Sequence, residues 1–295
     1  MKKLGLLFAV LLVSFTSAYA QFKFTSIDCP GAVRTSVVGI NNHGEMVGHY
    51  KLPGGILHAM MIKKGQCIPL APKTILGTNR SYGFKINDRG DVVGMFADDS
   101  GYSHGYLLRK GVLTILDFPG ASDTVAWGIN NFGTVVGWWD ILDADGNVLI
   151  SHGYIWKNGN FTQVDLPGAG NTFIDGINDW GDLVGLWGQD PTGNAGSAFF
   201  WPKGPGPFTS FDAPFPGVTL TQANDINDFR AIVGMYTDAS GLGHSFLRVG
   251  TAMIYFDYPG AMATSAWGIN SMFQIVGGWQ DSSGGLHGYL AQPGK

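Results

Sequence analysis

Gly128-Ile129-Asn130-Asn131-Phe132-Gly133-Thr134-Val135-Val136-Gly137 is the stretch from which the fold is read. Apolar residues before Asn-Asn-x-Gly and an apolar pair after it describe two short strands joined by a tight turn. Asn and Gly supply the positive φ that such a turn requires. The first half of the pattern recurs at Gly39-Ile40-Asn41, Lys85-Ile86-Asn87, Gly176-Ile177-Asn178, Asp225-Ile226-Asn227 and Gly268-Ile269-Asn270. The second half recurs at Met46-Val47-Gly48, Val92-Val93-Gly94, Leu183-Val184-Gly185, Ile232-Val233-Gly234 and Ile275-Val276-Gly277. The six Asn residues are separated by 46, 43, 48, 49 and 43 positions. A period of that size marks a solenoid or a propeller. No sustained helical period accompanies it, so the units are read as strands.

Two more strands fit into each unit. In the third unit the four are expected near residues 124–130, 134–139, 152–157 and 160–165. The second hairpin carries Asp, Ser and Gly, as in Asp98-Asp99-Ser100-Gly101 and Asp281-Ser282-Ser283-Gly284, and the third is closed by a Gly such as Gly65, Gly111 or Gly159. Four antiparallel strands in each of six units predict an all-β fold, a six-bladed β-propeller of four-stranded blades. The last unit stops after His287-Gly288-Tyr289-Leu290 without a fourth strand, while a strand of the same type stands at residues 22–28. That N-terminal strand is expected to complete the last blade and close the ring, removing exposed sheet edges. A solenoid would cap its ends instead.

Composition agrees with many short strands and tight turns. The 295 residues include 45 Gly, 19 Phe and 9 Trp, and only 14% are charged, against roughly 25% in an average globular protein. A hydrophobic share of 45% excludes disorder from want of core-forming residues. Lys2 and Lys3, the apolar run of residues 4–13 and Ala18-Tyr19-Ala20 have the form of an export signal. Residues 1–20 are therefore expected to be removed, leaving residues 21–295 as one propeller domain, secreted or periplasmic. The apolar run is short for a bilayer, and no later segment is longer. Loss of the two lysines takes the formal charge from −4 to −6, which argues against nucleic acid and against anionic membrane surfaces as partners.

The units resemble the extracellular HAF-type repeat, named for a His-Ala-Phe tripeptide. Here it reads His58-Ala59, His104-Gly105-Tyr106, His152-Gly153-Tyr154, Ser197-Ala198-Phe199, His244-Ser245-Phe246 and His287-Gly288-Tyr289. The resemblance covers nearly all of the mature chain. It implies an extracellular repeat protein and transfers neither an activity nor catalytic residues. Ser197 in place of His, and Arg230 in place of the hairpin Gly, depart from the pattern.

A zinc ion would need three or four ligands converging at about 2.0–2.3 Å. One His per unit, on the third strand out from the axis, is expected instead to hydrogen-bond locally, and no metal or cofactor is expected. Asp28, Asp117, Asp165, Asp212 and Asp257 precede Pro-Gly turns and read as turn builders; Leu70-Ala71-Pro72 lacks the Asp. In the loop from Asp140 to Asn147, Asp143 and Asp145 precede Gly146 with calcium-loop spacing, but Ile141 stands where the first ligand belongs. A solvated hairpin extension is the preferred reading and weak calcium binding the lesser one. An oxidising compartment would favour pairing Cys29 with Cys67. The repeat alignment separates them by more than the limit of about 7 Å, so no bridge is expected.

What repeats in every unit makes the fold, so a site must come from what differs. Just before the innermost strands stand Arg34, Arg80, Asp123, Asn171, Leu220 and Ala263. One step before Gly-Ile-Asn stand Val38, Phe84, Trp127, Asp175, Asn224 and Trp267. Arg34, Arg80, Asp123, Trp127, Asp175 and Trp267 are therefore the candidate binding residues of the axial face. Indoles beside a few polar groups suit a sugar or other polar ligand. The bland alternative packs the indoles between blades and leaves the charges solvated. No Gly-x-Ser-x-Gly, His-Glu-x-x-His or Walker pattern occurs. The preferred function is non-catalytic binding of a glycan or cell-surface component. One alternative is a glycan lyase or hydrolase using Asp123 and Asp175 as acid and base, with Arg34 or Arg80 holding a carboxylate. Their carboxyls would have to stand about 5–5.5 or 6.5–9.5 Å apart across a cleft. The other is a structural or protein-interaction repeat without a small-molecule site.

Overall fold

Each Gly-Ile-Asn strand ends in a turn built by its own Asn. In the third unit the Asn130 amide donates to the Thr134 carbonyl (3.1 Å), and Asn130 Oδ1 accepts from the Phe132 and Thr134 amides (both 3.1 Å). Its remaining donor reaches sideways, Nδ2 to the Asn178 carbonyl at 3.1 Å. The same bond runs from Asn41 to Asn87, Asn87 to Asn130, Asn178 to Asn227, Asn227 to Asn270, and Asn270 back to Asn41, at 3.0–3.3 Å. These buried amides form a closed circle, so the residue that makes the turn also joins the units.

The computed structural model describes residues 22–70, 80–190, 192–204 and 206–294, which are strands and turns without helix. The export-signal reading of residues 1–20 lies outside them. In chain order the strands are β1 (Phe22–Ile27), then β2 (Arg34–Ile40), β3 (Met46–Lys51), β4 (Leu57–Lys63) and β5 (Gln66–Pro69). The second unit holds β6 (Arg80–Ile86), β7 (Val92–Ala97), β8 (Ser103–Arg109) and β9 (Val112–Leu116), and the third β10 (Asp123–Ile129), β11 (Val135–Leu142), β12 (Val148–Lys157) and β13 (Asn160–Gln163). The fourth holds β14 (Asn171–Ile177), β15 (Leu183–Gly188), β16 (Ser197–Trp201) and β17 (Thr209–Phe211). The fifth holds β18 (Leu220–Ile226), β19 (Ala231–Thr237), β20 (Gly243–Val249) and β21 (Ala252–Phe256), and the chain ends with β22 (Ala263–Ile269), β23 (Ile275–Gln280) and β24 (Leu286–Pro293).

These strands correct the expectation of six separate blades. The all-β propeller arrangement has four independent four-stranded sheets, formed by the second to fifth units, and one eight-stranded sheet. In that sheet the order runs β22-β23-β24-β2-β3-β4-β5, with β1 also on β24. The physical reason is the parallel pairing of Arg34, at the head of β2, with Leu286, at the head of β24, which fuses the first and last units. A comparable parallel bridge between Gly196 and Leu220 stays isolated and leaves its two sheets separate. β1 lies antiparallel on β24 from Phe22 opposite Pro293 to Ile27 opposite Gly288.

Every innermost strand carries a register shift just before its Ile-Asn, and the Gly of the Val-Gly pair faces it. A Cβ on Gly137 would stand 1.9 Å from the Val125 carbonyl oxygen, and one on Gly94 1.9 Å from that of Tyr82. Only Gly admits so close an approach of backbone. The bare backbone is covered from the next strand: Tyr106, Tyr154, Phe199, Phe246 and Tyr289 stand opposite Gly94, Gly137, Gly185, Gly234 and Gly277. The aromatic of the His-x-aromatic motif is thus the lid of the Val-Gly motif, and all five rings are fully buried.

The repeated His and Asp residues, read separately from the sequence, meet. His104 reaches Asp117 at 3.0 Å, His152 reaches Asp165 at 2.9 Å, His244 reaches Asp257 at 2.8 Å and His287 reaches Asp28 at 2.8 Å. Ser197 does the same with Asp212 at 3.1 Å. Where Leu70 replaces the Asp, His58 lies against the Tyr50 ring instead. Asp143 of the third hairpin accepts the Asp145 and Asn147 amides and the Asn147 side chain at 2.8–3.0 Å, as turn geometry requires.

The expectation of no disulfide is overturned. Cys29 and Cys67 are bonded, with Cα atoms 5.7 Å apart. Alignment of strands placed the two on outer edges of adjacent units. The turn after β1 in fact tucks Cys29 inward, where its amide donates to Thr35 Oγ1 at 3.0 Å and its side chain is buried with Val37, Met60 and Ile62. Cys67 packs against that cluster from β5.

Candidate functional site

Innermost strands β2, β6, β10, β14, β18 and β22 surround one axis, each touching the next and β22 touching β2. The position before Ile-Asn is Gly in four of them because it faces the crowded axis: a Cβ on Gly39 would stand 2.5 Å from the Phe84 carbonyl oxygen. The two exceptions, Lys85 and Asp225, come from opposed units. Their side chains meet across the axis, Nζ to Oδ2 at 3.2 Å. Lys85 Nζ also donates to the Val38 carbonyl at 3.3 Å and to that of Trp267, and Asp225 accepts from the amides of Ile226 and Ile269 at 3.0 Å. Burial pushes Lys85 down and Asp225 up, and each one's charge opposes that shift in the other.

This ion pair contributes to the wall of a cavity of about 70 Å³ at the Asn end of the axis, lined by the Ile-Asn-x residues of all six units. Toward the opposite ends of the innermost strands lies a larger cavity of about 370 Å³, the size expected of a small-molecule pocket. Arg34, His49, Tyr82, Phe84, Trp127, Trp267 and Trp279 are among its lining residues. The rings form a continuous chain. His49 meets Tyr82 edge-on (4.8 Å between centroids), Tyr82 stacks on Phe84 (5.7 Å), Phe84 on Trp127 (4.1 Å), and Trp127 meets Trp267 from the opposed unit (6.2 Å).

Four lining side chains have buried polar atoms without a partner: Arg34 Nε, both nitrogens of His49, and the indole nitrogens of Trp127 and Trp279. Buried polar groups are ordinarily hydrogen-bonded, so a cluster of orphans along one cavity points to a ligand that completes them. His49 is 6% exposed. Burial, then the nearby Arg34 charge, pushes it down to about 3, which makes it a neutral imidazole with one donor and one acceptor.

Of the sequence-derived candidates, Arg34, Trp127 and Trp267 line this cavity together. Arg80 is exposed at the start of β6, where its charge acts on Asp123. Asp123 is half-buried and accepts the Ser103 amide at 2.6 Å. Asp175 is fully buried in β14, its Oδ2 accepting from Gln222 Nε2 at 2.9 Å while Oδ1 has no partner. Burial pushes Asp175 up to about 8. Asp123 and Asp175 line neither axial cavity, and among the described residues the lining of the larger one contains no carboxylate.

The larger cavity includes residues that sequence reasoning passed over, above all His49 and the ring ladder Tyr82–Phe84. The signal was present. After the Val-Gly pair the units read His49, Met95, Trp138, Leu186, Met235 and Gly278, and His is the polar member of that series.

No family model and no curated protein matches the chain. Solved structures do. A protein of unknown function from Dyadobacter fermentans is similar over 92% of this chain and 98% of its own, with a TM-score of 0.58 and 10% identity. The β-propeller domain of the trilobed protease from Pyrococcus furiosus, of open velcro topology, is similar over 87% and 82%, with a TM-score of 0.51 and 8% identity. The fold is that of a β-propeller. A mutant of the Aleuria aurantia lectin, in complex with Fucalpha1-6GlcNAc, is similar over 94% and 95%, with a TM-score of 0.50 and 11% identity.

Proposed function

We propose that this chain is an exported, non-catalytic binding propeller whose larger axial cavity holds a polar ring-shaped ligand, a glycan or other cell-surface component. The observation that carries this reading is the combination of aromatic walls with unpartnered polar atoms on Arg34, His49 and Trp127. Aromatic faces cover the apolar face of a sugar ring, and fixed donors meet its hydroxyls. The propeller lectin among the similar structures agrees with this reading at the level of fold. The two carboxyls considered for a hydrolase or lyase, those of Asp123 and Asp175, stand outside this cavity.

Thermal shift and isothermal titration against a panel of mono- and oligosaccharides test the reading. A ligand at 100 times its dissociation constant stabilises by about 2.7 kcal/mol. Trp127→Ala is expected to abolish the shift, as is Trp267→Ala. A ligand whose affinity survives both substitutions contradicts the site.

A further inference from the structure

Arg34 is the unusual member of the cavity lining. Arg109 and Arg230 are each paired with a buried carboxylate, Asp91 at 2.9 Å and Asp182 at 2.8 Å. Arg34 stands at the head of β2, half-buried, with Nε shielded from solvent and without a partner. Among the described residues, the sixteen lining the cavity include neither Asp nor Glu. A guanidinium fork positioned by a strand and left without an anion in a low-dielectric cavity is arranged for a carboxylate that arrives from outside. His49 is the fourth residue of β3, beside Tyr82, and the Trp127 indole offers a further donor without a partner. Donors and an acceptor of this kind match hydroxyl groups, which both give and take hydrogen bonds. The Trp127 and Trp267 rings supply the apolar surface beneath.

We infer that the ligand of this cavity is a sugar acid, a uronic acid either free or at the end of a polysaccharide, with its carboxylate on Arg34 and its hydroxyls on His49 and the Trp127 indole. The inference rests on the binding reading above and narrows it to one chemical class. Charge-assisted contacts of this type are roughly twice as strong as neutral ones, so the acid should bind more tightly than its neutral counterpart by about tenfold or more.

The test is a titration of the whole protein with glucuronic and galacturonic acid, with glucose and galactose, and with an oligogalacturonate. At least one acid is expected to bind about tenfold more tightly than its neutral partner, with a preference that shrinks as salt screens it. Arg34→Gln should erase that preference, Arg34→Lys should keep part of it, and Arg80→Gln, outside the cavity, should leave it unchanged. The melting temperature of each variant reports whether it is folded. Tighter binding of the oligomer than of either free acid places the ligand at a polymer end. The reverse order assigns a free sugar acid. Equal affinity for acids and neutral sugars, with binding lost in Trp127→Ala, overturns the acidic ligand and leaves the binding site standing. Absence of binding by every sugar overturns both.

Discussion

At the scale of single residues, two kinds of glycine should behave very differently. Gly133 has a φ of 73° and open space around its Cβ apart from the flexible end of Arg109. Its replacement by Ala is expected to cost only the left-handed backbone penalty, about 1–2 kcal/mol. Gly137 has ordinary backbone angles, but a Cβ would collide with the Val125 carbonyl. Gly137→Ala is expected to cost about 3 kcal/mol or more, because backbone in a paired strand cannot give way. Urea unfolding of the two variants checks the order. The fifth and sixth units already tolerate the first kind of change: Arg230 and Phe273 hold a φ of 59° where the first four units have Gly, and the Arg230 guanidinium pairs with the fully buried Asp182.

The ion pair of Lys85 with Asp225 belongs to the same scale. Lys85→Met leaves a buried carboxylate unpaired, and Asp225→Leu a buried ammonium; each should destabilise by about 3–5 kcal/mol. Replacing both residues by Gly, the residue at this position in the other units, should cost less than either single change. A double-variant cost equal to the sum of the singles would contradict coupling across the axis. This pair was legible in principle. Lys and Asp stand in place of Gly in the second and fifth copies of a sixfold motif, but only a closed ring shows that these two copies face each other.

At the scale of elements, the disulfide ties the turn before β2 to β5. It closes a loop with a sequence separation of 38, for which loop-closure entropy gives about 4 kcal/mol. Unfolding in the presence of reductant should therefore occur at a markedly lower urea concentration than without it. Thiol titration of the denatured, unreduced protein should find no free cysteine. The order of strands within a unit and the turn type were legible because they rest on Asn, Gly and Pro at fixed offsets. Cys29 was misread because it sits in an irregular turn, where strand alignment carries no information about depth. The fusion of the first and last units was equally hidden. It depends on one parallel pairing, Arg34 with Leu286, which no local pattern encodes. The aromatic cavity was half legible: Arg34, Trp127 and Trp267 stand out by comparing units, whereas His49 lies on the second strand, and only the structure brings it beside Tyr82.

At the scale of the whole molecule, the titrating groups predict how stability changes with pH. Burial raises Asp175 to about 8, from roughly 3.9 in an unfolded chain. Its contribution is greatest below the unfolded value and is lost as pH rises through 8. For His104, His244 and His287 burial opposes the charge, but the hydrogen bonds and charges of their Asp partners outweigh it and raise all three. Their contribution is complete below about 6.5 and is lost as pH rises through the folded values. His49, lowered to about 3, contributes fully above 6.5 and so changes nothing there. The melting temperature should therefore fall between about pH 6.5 and 8.5, and Asp175→Asn should flatten part of that fall. A slope identical in that variant would contradict the raised carboxyl.

The ring of innermost strands places four apolar or aromatic positions, Val38, Phe84, Trp127 and Trp267, along one half of the axis and Asp175 and Asn224 along the other. That asymmetry makes one mouth of the propeller a cavity with aromatic walls and orphaned donors. The most direct test is to follow the nine indole N–H signals by ¹⁵N-correlated NMR during titration with glucuronic acid, assigning each by Trp→Phe substitution. The account predicts that Trp127, Trp267 and Trp279 shift together and saturate at one affinity. Saturable shifts confined to indoles away from the cavity, such as Trp180 or Trp201, would contradict it.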